Sequence, residues 1–162
     1  MKAIPISVTL NGEAIDDAVE PRLSLADYLR HERGFYGTHV GCEQGVCGMC
    51  TVRFDGEPVK SCLLFAAQAD GHTVDTVESL AHGDELHPLQ EAFRDHHGIQ
   101  CGFCTPAFLL VAVSLAERSH PINEGMLRDE LAGVLCRCTG YESIMRAVMS
   151  YLGQGHGESI VD

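Results

Sequence analysis

Ile4, Ile6, Val8 and Leu10 alternate with Pro5, Ser7 and Thr9, which predicts a strand with one buried face. Asn11-Gly12 follows, a pair that tolerates the positive φ of a tight hairpin, so Glu13–Val19 should return as a second strand. Pro5 lacks an amide donor and belongs at the strand start or on an edge. Ser24 should cap a short helix, with Asp27 completing a capping-box variant and Leu25, Tyr28 and Leu29 buried. A glycine- and cysteine-rich loop fills 41–50. A second hairpin is predicted from Thr51–Phe54, the turn Asp55-Gly56, and residues 58–61, with a last short strand at 72–77.

Beyond this point the period changes to that of helices. Residues 86–97 put Leu86, Leu89, Ala92 and Phe93 on one face, and Gly98 stands where a helix end calls for positive φ, with His96 and His97 in the last turn. Residues 106–117 are strongly apolar, with Thr105 as the expected N-cap and Pro106 at the first helical position. Pro121 breaks the chain. Asn123 should cap a third helix bearing Met126, Leu127, Leu131 and Val134, and 141–152 should form a fourth with Ile144, Val148, Tyr151 and Leu152. The order strand–strand–helix–loop–strands is that of a β-grasp domain, and four short helices suggest a small bundle. The expected class is α+β. It has a β-grasp domain over 1–80 and a four-helix-bundle domain over 81–162, ending in a mobile tail from about 153.

Charge and length narrow the function. Eleven Lys and Arg face 23 Asp and Glu, a formal net charge of -12, which argues against a nucleic-acid surface and fits a protein partner. No stretch approaches the roughly 18 apolar residues of a membrane span. The N-terminus shows no secretory pattern, so a cytoplasmic location is expected, where thiols stay reduced. Each half of a 162-residue chain is too small to rest on its core alone.

Eight cysteines are far more than packing needs. Cys42, Cys47, Cys50 and Cys62 have the plant-type ferredoxin spacing for one [2Fe–2S] cluster, C-x4-C-x2-C and then a distant fourth. Gly41, Gly45 and Gly48 alternate with these ligands and let the backbone turn its N–H groups toward a cluster of formal charge roughly −2. Cys101, Cys104, Cys136 and Cys138 form a second set, C-x2-C and later C-x-C, placed in two helix-to-helix connections. Disulfides and a thioredoxin-like pair at Cys47 and Cys50 are weaker readings. A structural zinc is the stronger rival for the second set, although C-x-C is an uncommon zinc spacing. A Rieske centre needs paired histidines that the spacing does not supply.

The segments GTHVGCEQGVCGMCTV, VKSC, LHPLQEAF, IQCGFCTP and LCRCTGY occur in this order. Through them the chain resembles the small iron–sulfur subunit of the molybdenum hydroxylases, the xanthine oxidase family. The carbon monoxide dehydrogenase and bacterial N-heteroaromatic dehydrogenase branches look most similar. The resemblance implies two [2Fe–2S] clusters on this chain, a molybdenum–pterin cofactor on a large partner subunit and FAD on a medium one. The assembly it implies is a heterotrimer able to dimerise. It also implies that Gln100 hydrogen-bonds the pterin and that Cys138 lies beside it, so that the helical-domain cluster receives electrons first. Met49, Ala107 and Val134 depart from the residues common in the family, and none is a ligand. The runner-up readings are a free-standing two-cluster ferredoxin and a zinc-stabilised interaction module. His39, beside the first loop, is read as a solvated histidine, and Arg137 as either an offset to cluster charge or a partner contact. No catalytic residue is expected here, and substrate and terminal acceptor belong to other chains.

Overall fold

A computed structural model describes residues 2–118 and 122–156. Strand β1 (Ile4–Leu10) pairs antiparallel with β2 (Glu13–Val19) across the predicted turn, where Asn11 and Gly12 take φ of 51° and 83°. Helix α1 (Leu25–Asp27) starts at Ser24, whose hydroxyl accepts from the Asp27 amide, and runs on as a π turn over Tyr28–Glu32. Strands β3 (Thr51–Phe54), β4 (Glu57–Lys60) and β5 (Thr73–Asp75) complete a five-stranded sheet of order β2-β1-β5-β3-β4. The parallel pairing of β1 with β5 at its centre gives the β-grasp arrangement.

One face of the sheet is closed by α1. Ile6, Val8, Leu10, Leu25, Tyr28, Leu29, Val52 and Val74 form a single buried cluster there. Each such side chain stabilises the fold by roughly 1.5–3 kcal/mol. The Tyr28 hydroxyl escapes isolation by donating to the Asp17 carboxylate at 3.1 Å, which also accepts from Arg33 at 3.2 Å. Just beyond, the Arg30 guanidinium donates to the carbonyls of Tyr36 (2.9 Å) and Thr38 (2.8 Å). It thereby fixes the chain as it enters the cysteine loop.

The helical half consists of α2 (Pro88–Asp95), α3 (Thr105–Ala116), α4 (Glu124–Leu131) and α5 (Glu142–Tyr151). Helix α3 is apolar on every side and every residue from Ala107 to Leu115 is buried, as such a sequence requires. It serves both halves. Besides packing in the bundle it lies on β3 and β4, where Ser114 Oγ donates to the Gly56 carbonyl at 2.9 Å and Arg53 pairs with Glu117. Among the described residues no helix is long and apolar enough to cross a membrane.

Several expected boundaries shift for local reasons. The last strand covers only Thr73–Asp75, because Val77–Ser79 turns into a 3-10 helix. Helix α2 begins at Pro88, which holds His87 extended (ψ 142°) as the N-cap, and leaves Leu86 outside the helix and 42 % exposed. The left-handed residue at its end is His97 (φ 55°), not Gly98. Gly98 is needed for space instead, since a Cβ there would sit 3.0 Å from the Phe93 ring. Cys104, not Thr105, is the N-cap of α3. Met126 is exposed rather than packed. The expected tail begins as a π turn over Leu152–His156, and its remainder, like the break at Pro121, lies outside the described residues.

Candidate metal centres

The first cysteine set lies on the loop between α1 and β3 and on the 3-10 turn Ser61–Leu63 that follows β4. Cys50 is buried, and Cys42, Cys47 and Cys62 are partly covered. The Cys47 amide donates to Cys42 Sγ at 3.3 Å, and the Cys62 amide to Cys50 Sγ at 3.5 Å. Aimed amides of Cys47 and Gln44 hold the Cys42 thiol down to about 6, whereas burial pushes Cys50 up to about 11. Gly45 and Gly48 adopt φ of 76° and 75°, as the turn requires. Gly41 does not, but a Cβ there would crowd Cys47 Sγ and the Met49 side chain, each at 3.3 Å.

The second set sits where the two helix-to-helix connections meet. Cys104 and Cys136 are buried, Cys101 and Cys138 exposed, and the last two sulfurs lie 3.4 Å apart. The Phe103 amide, followed by the Cys138 thiol, holds Cys101 below its ordinary value, while burial pushes Cys104 up to about 12. At Cys136 burial opposes ionisation, but the Thr139 hydroxyl and amide and the Cys138 amide outweigh it. The Cys136 amide itself donates to the Tyr141 hydroxyl at 3.0 Å, and Tyr141 holds the loop with a left-handed backbone (φ 70°).

The sulfurs associate in pairs, Cys42 with Cys47, Cys50 with Cys62, Cys101 with Cys138 and Cys104 with Cys136. Among the described residues no three His, Cys, Asp or Glu side chains converge as a single ion would need. Four cysteines associated two by two suit a dinuclear cluster, in which each iron takes two thiolates. All eight cysteines are free thiols in the structure. The donor set and the amides pointed at sulfur therefore fit two [2Fe–2S] groups.

The two loops touch. The Leu135 amide donates to the Cys47 carbonyl at 2.9 Å, and Lys60 Nζ donates to the Gly133 carbonyl at 3.0 Å. Gly48 lies so close to the Gly133–Val134 backbone that any side chain there would strike it. Met49 is buried in the helical core rather than in the sheet core. His39, expected to be solvated, instead donates through Nδ1 to the Phe103 carbonyl at 2.7 Å and stacks on its ring. Gln100 is exposed, as is Arg137, which makes no ion pair among the described residues. The sequence motifs contained Leu135, Tyr141 and Thr139, but nothing in their spacing told that Leu135 would bond across to the other loop while Tyr141 and Thr139 brace their own.

A ferredoxin-like domain and a helical bundle, each presenting four cysteines, define a two-cluster iron–sulfur electron carrier. A 2Fe-2S iron-sulfur cluster binding domain matches residues 8–81 and a [2Fe-2S] binding domain residues 76–149. The chain is 49 % identical over 153 residues to caffeine dehydrogenase subunit gamma of Pseudomonas sp. (strain CBB1), covering 93 % of this chain and 92 % of that one. It is 48 % identical over 151 residues to the nicotine 6-hydroxylase small subunit of Paenarthrobacter nicotinovorans, with 93 % and 91 % covered. The crystal structure of quinoline 2-oxidoreductase from Pseudomonas putida 86 superposes with a TM-score of 0.88 at 46 % identity, covering 96 % of this chain and 99 % of that one. The chain belongs to the small iron–sulfur subunits of the molybdenum hydroxylases, and is the electron-transfer part of an oxidoreductase complex.

Proposed function

We propose that this chain relays electrons from a molybdenum–pterin site on a large partner subunit, through its two [2Fe–2S] clusters, to FAD on a medium subunit. Cys42, Cys47, Cys50 and Cys62 hold the first cluster within a unit of residues 1–80. Cys101, Cys104, Cys136 and Cys138 hold the second within residues 81–162. When bound, each cluster takes up and returns one electron. The protein's part is to fix the sulfurs, aim N–H groups at them and bring the two sites together.

The observation that carries this reading is the hydrogen bond from Leu135, next to Cys136, to the carbonyl of Cys47, which joins a ligand of one set to the neighbour of a ligand of the other. Each loop also keeps an apolar rim for a partner. Ile99, Phe103 and Leu135 are exposed around Cys101 and Cys138, and Val46, Leu63 and Phe65 around the first set. Exposed Gln100 and Cys138 belong to the first rim and face the pterin in this scheme. The names of the similar proteins point to caffeine, nicotine and quinoline, so the substrate class proposed for the complex is an N-heteroaromatic ring.

Purification of the native complex tests the scheme. A large subunit with molybdenum and a medium subunit with flavin should accompany this chain. Gln100→Ala should keep both clusters, slow their reduction by substrate and leave reduction from the flavin side nearly unchanged. Recovery as a lone chain with both clusters would favour the free ferredoxin, and the opposite pattern of rates would reverse the relay.

A further inference from the structure

His39 lies three positions before Cys42, yet both of its interactions are with the second cysteine set. Its ring lies parallel to that of Phe103, 4.7 Å between centroids and 3° between planes. Its Nδ1 lies 2.7 Å from the Phe103 carbonyl oxygen. A carbonyl can only accept, so Nδ1 carries the proton. His39 therefore grips one residue at two points, ring and main chain.

Phe103 is the middle of Cys101-Gly102-Phe103-Cys104, and its orientation decides where its amide points. The Phe103 amide is the first influence holding the neighbouring Cys101 thiol below its ordinary value. That amide and the carbonyl that His39 holds flank the same Cα, so a grip on the carbonyl and the ring together restrains the dihedral angles that aim the amide. The turn has few other restraints. Gly102 stands at φ 82° with nothing within 4 Å of a Cβ, and the Thr105 amide closes the turn onto the Gly102 carbonyl at 3.2 Å. The Phe103 ring is 45 % exposed, so packing alone does not seat it.

We propose that His39 is a positioning residue for the second cluster, held in place from the first cluster's loop, and that it raises the second cluster's reduction potential by locking the Phe103 turn. This rests on the reading that Cys101, Cys104, Cys136 and Cys138 ligate that cluster. N–H dipoles directed at sulfur favour the more negative, reduced form, so loosening the turn lowers the potential. The arrangement also makes the driving force between the two clusters depend on a contact that exists only when the two loops are docked.

The test is a redox titration of the intact complex, followed by electron paramagnetic resonance, for wild type, His39→Ala, His39→Phe and His39→Asn. Phe keeps the stacking ring and Asn keeps a donor near Nδ1. Iron and sulfide are measured on each sample. In His39→Ala the second cluster's potential should fall and its signal change shape, with the first cluster's signal unmoved. In half-reduced protein the share of electrons on the second cluster relative to the first should drop about three- to tenfold, the range of one lost net hydrogen bond. Phe or Asn should restore part of it. If His39→Ala loses a cluster, the same comparison is made between Phe, Asn and wild type. A shift of the first cluster instead, of both together, or of neither at full iron content overturns the inference. Absence of the second signal in wild type would instead strike at the ligand reading.

Discussion

Gly48→Ala should damage the seam between the two cysteine loops by more than backbone strain alone explains. Gly48 has φ 75°, and an alanine held there costs about 1–2 kcal/mol in conformation. Its Cβ would also fall onto the Gly133 carbonyl oxygen and within 3.0 Å of the Val134 Cα. Those are main-chain atoms and cannot rotate away, so the two backbones must part, at a cost of about 1–3 kcal/mol typical of overpacking. The sum is about 2–5 kcal/mol. Gly71→Ala supplies the control, because Gly71 has φ 76° and nothing within 4 Å of a Cβ. It should cost only about 1–2 kcal/mol. The backbone pushed by Gly48→Ala is the one carrying the bonds from Leu135 to Cys47 and from Lys60 to Gly133, so electron exchange between clusters should slow as well. Anaerobic denaturant unfolding, read by circular dichroism and cluster absorbance, gives the first quantity and rapid-mixing reduction the second. Equal destabilisation by the two substitutions, with unchanged exchange, would refute the reasoning.

Cys136→Ser should expose the helical half to protease far more than the β-grasp half, because metal binding and folding are coupled in small units. Equal digestion of both halves in limited proteolysis would show that they fold as one. Burial, followed by the Asp17 hydrogen bond, pushes the Tyr28 phenol up to about 12, above its ordinary value of 10.0. The folded state therefore keeps that proton longer than the unfolded one, so the Tyr28 contribution is intact below pH 10 and is lost as pH rises toward 12. Tyr28→Phe should be less stable than wild type at pH 7 by about 1 kcal/mol, and the gap should narrow over that alkaline window in matched unfolding curves.

Much of the fold was legible because it follows local rules. Alternation in β1, the Asn11-Gly12 and Asp55-Gly56 turns and the Ser24 and Asn123 caps act within a few residues, and each stands in the structure. The two cluster-binding domains were legible because the cysteine spacings are local patterns, and both domain matches cover them. What the sequence hid were contacts between segments far apart in the chain. Gly98 looks like a left-handed glycine but serves the Phe93 ring. Met49 looks like a loop residue and fills the helical core. His39 looks solvated and holds Phe103, 64 positions away. None of these has a local pattern, because the partner is supplied by the other half of the fold.

The central claim is that one chain holds two distinct [2Fe–2S] clusters. Iron and acid-labile sulfide counted together with the integrated paramagnetic signal of the fully reduced protein test it most directly. About four irons and about four sulfides per chain are expected, with two signals of different shape integrating to about one spin each. About two irons with zinc at the second set, and one signal of a single spin, would contradict it.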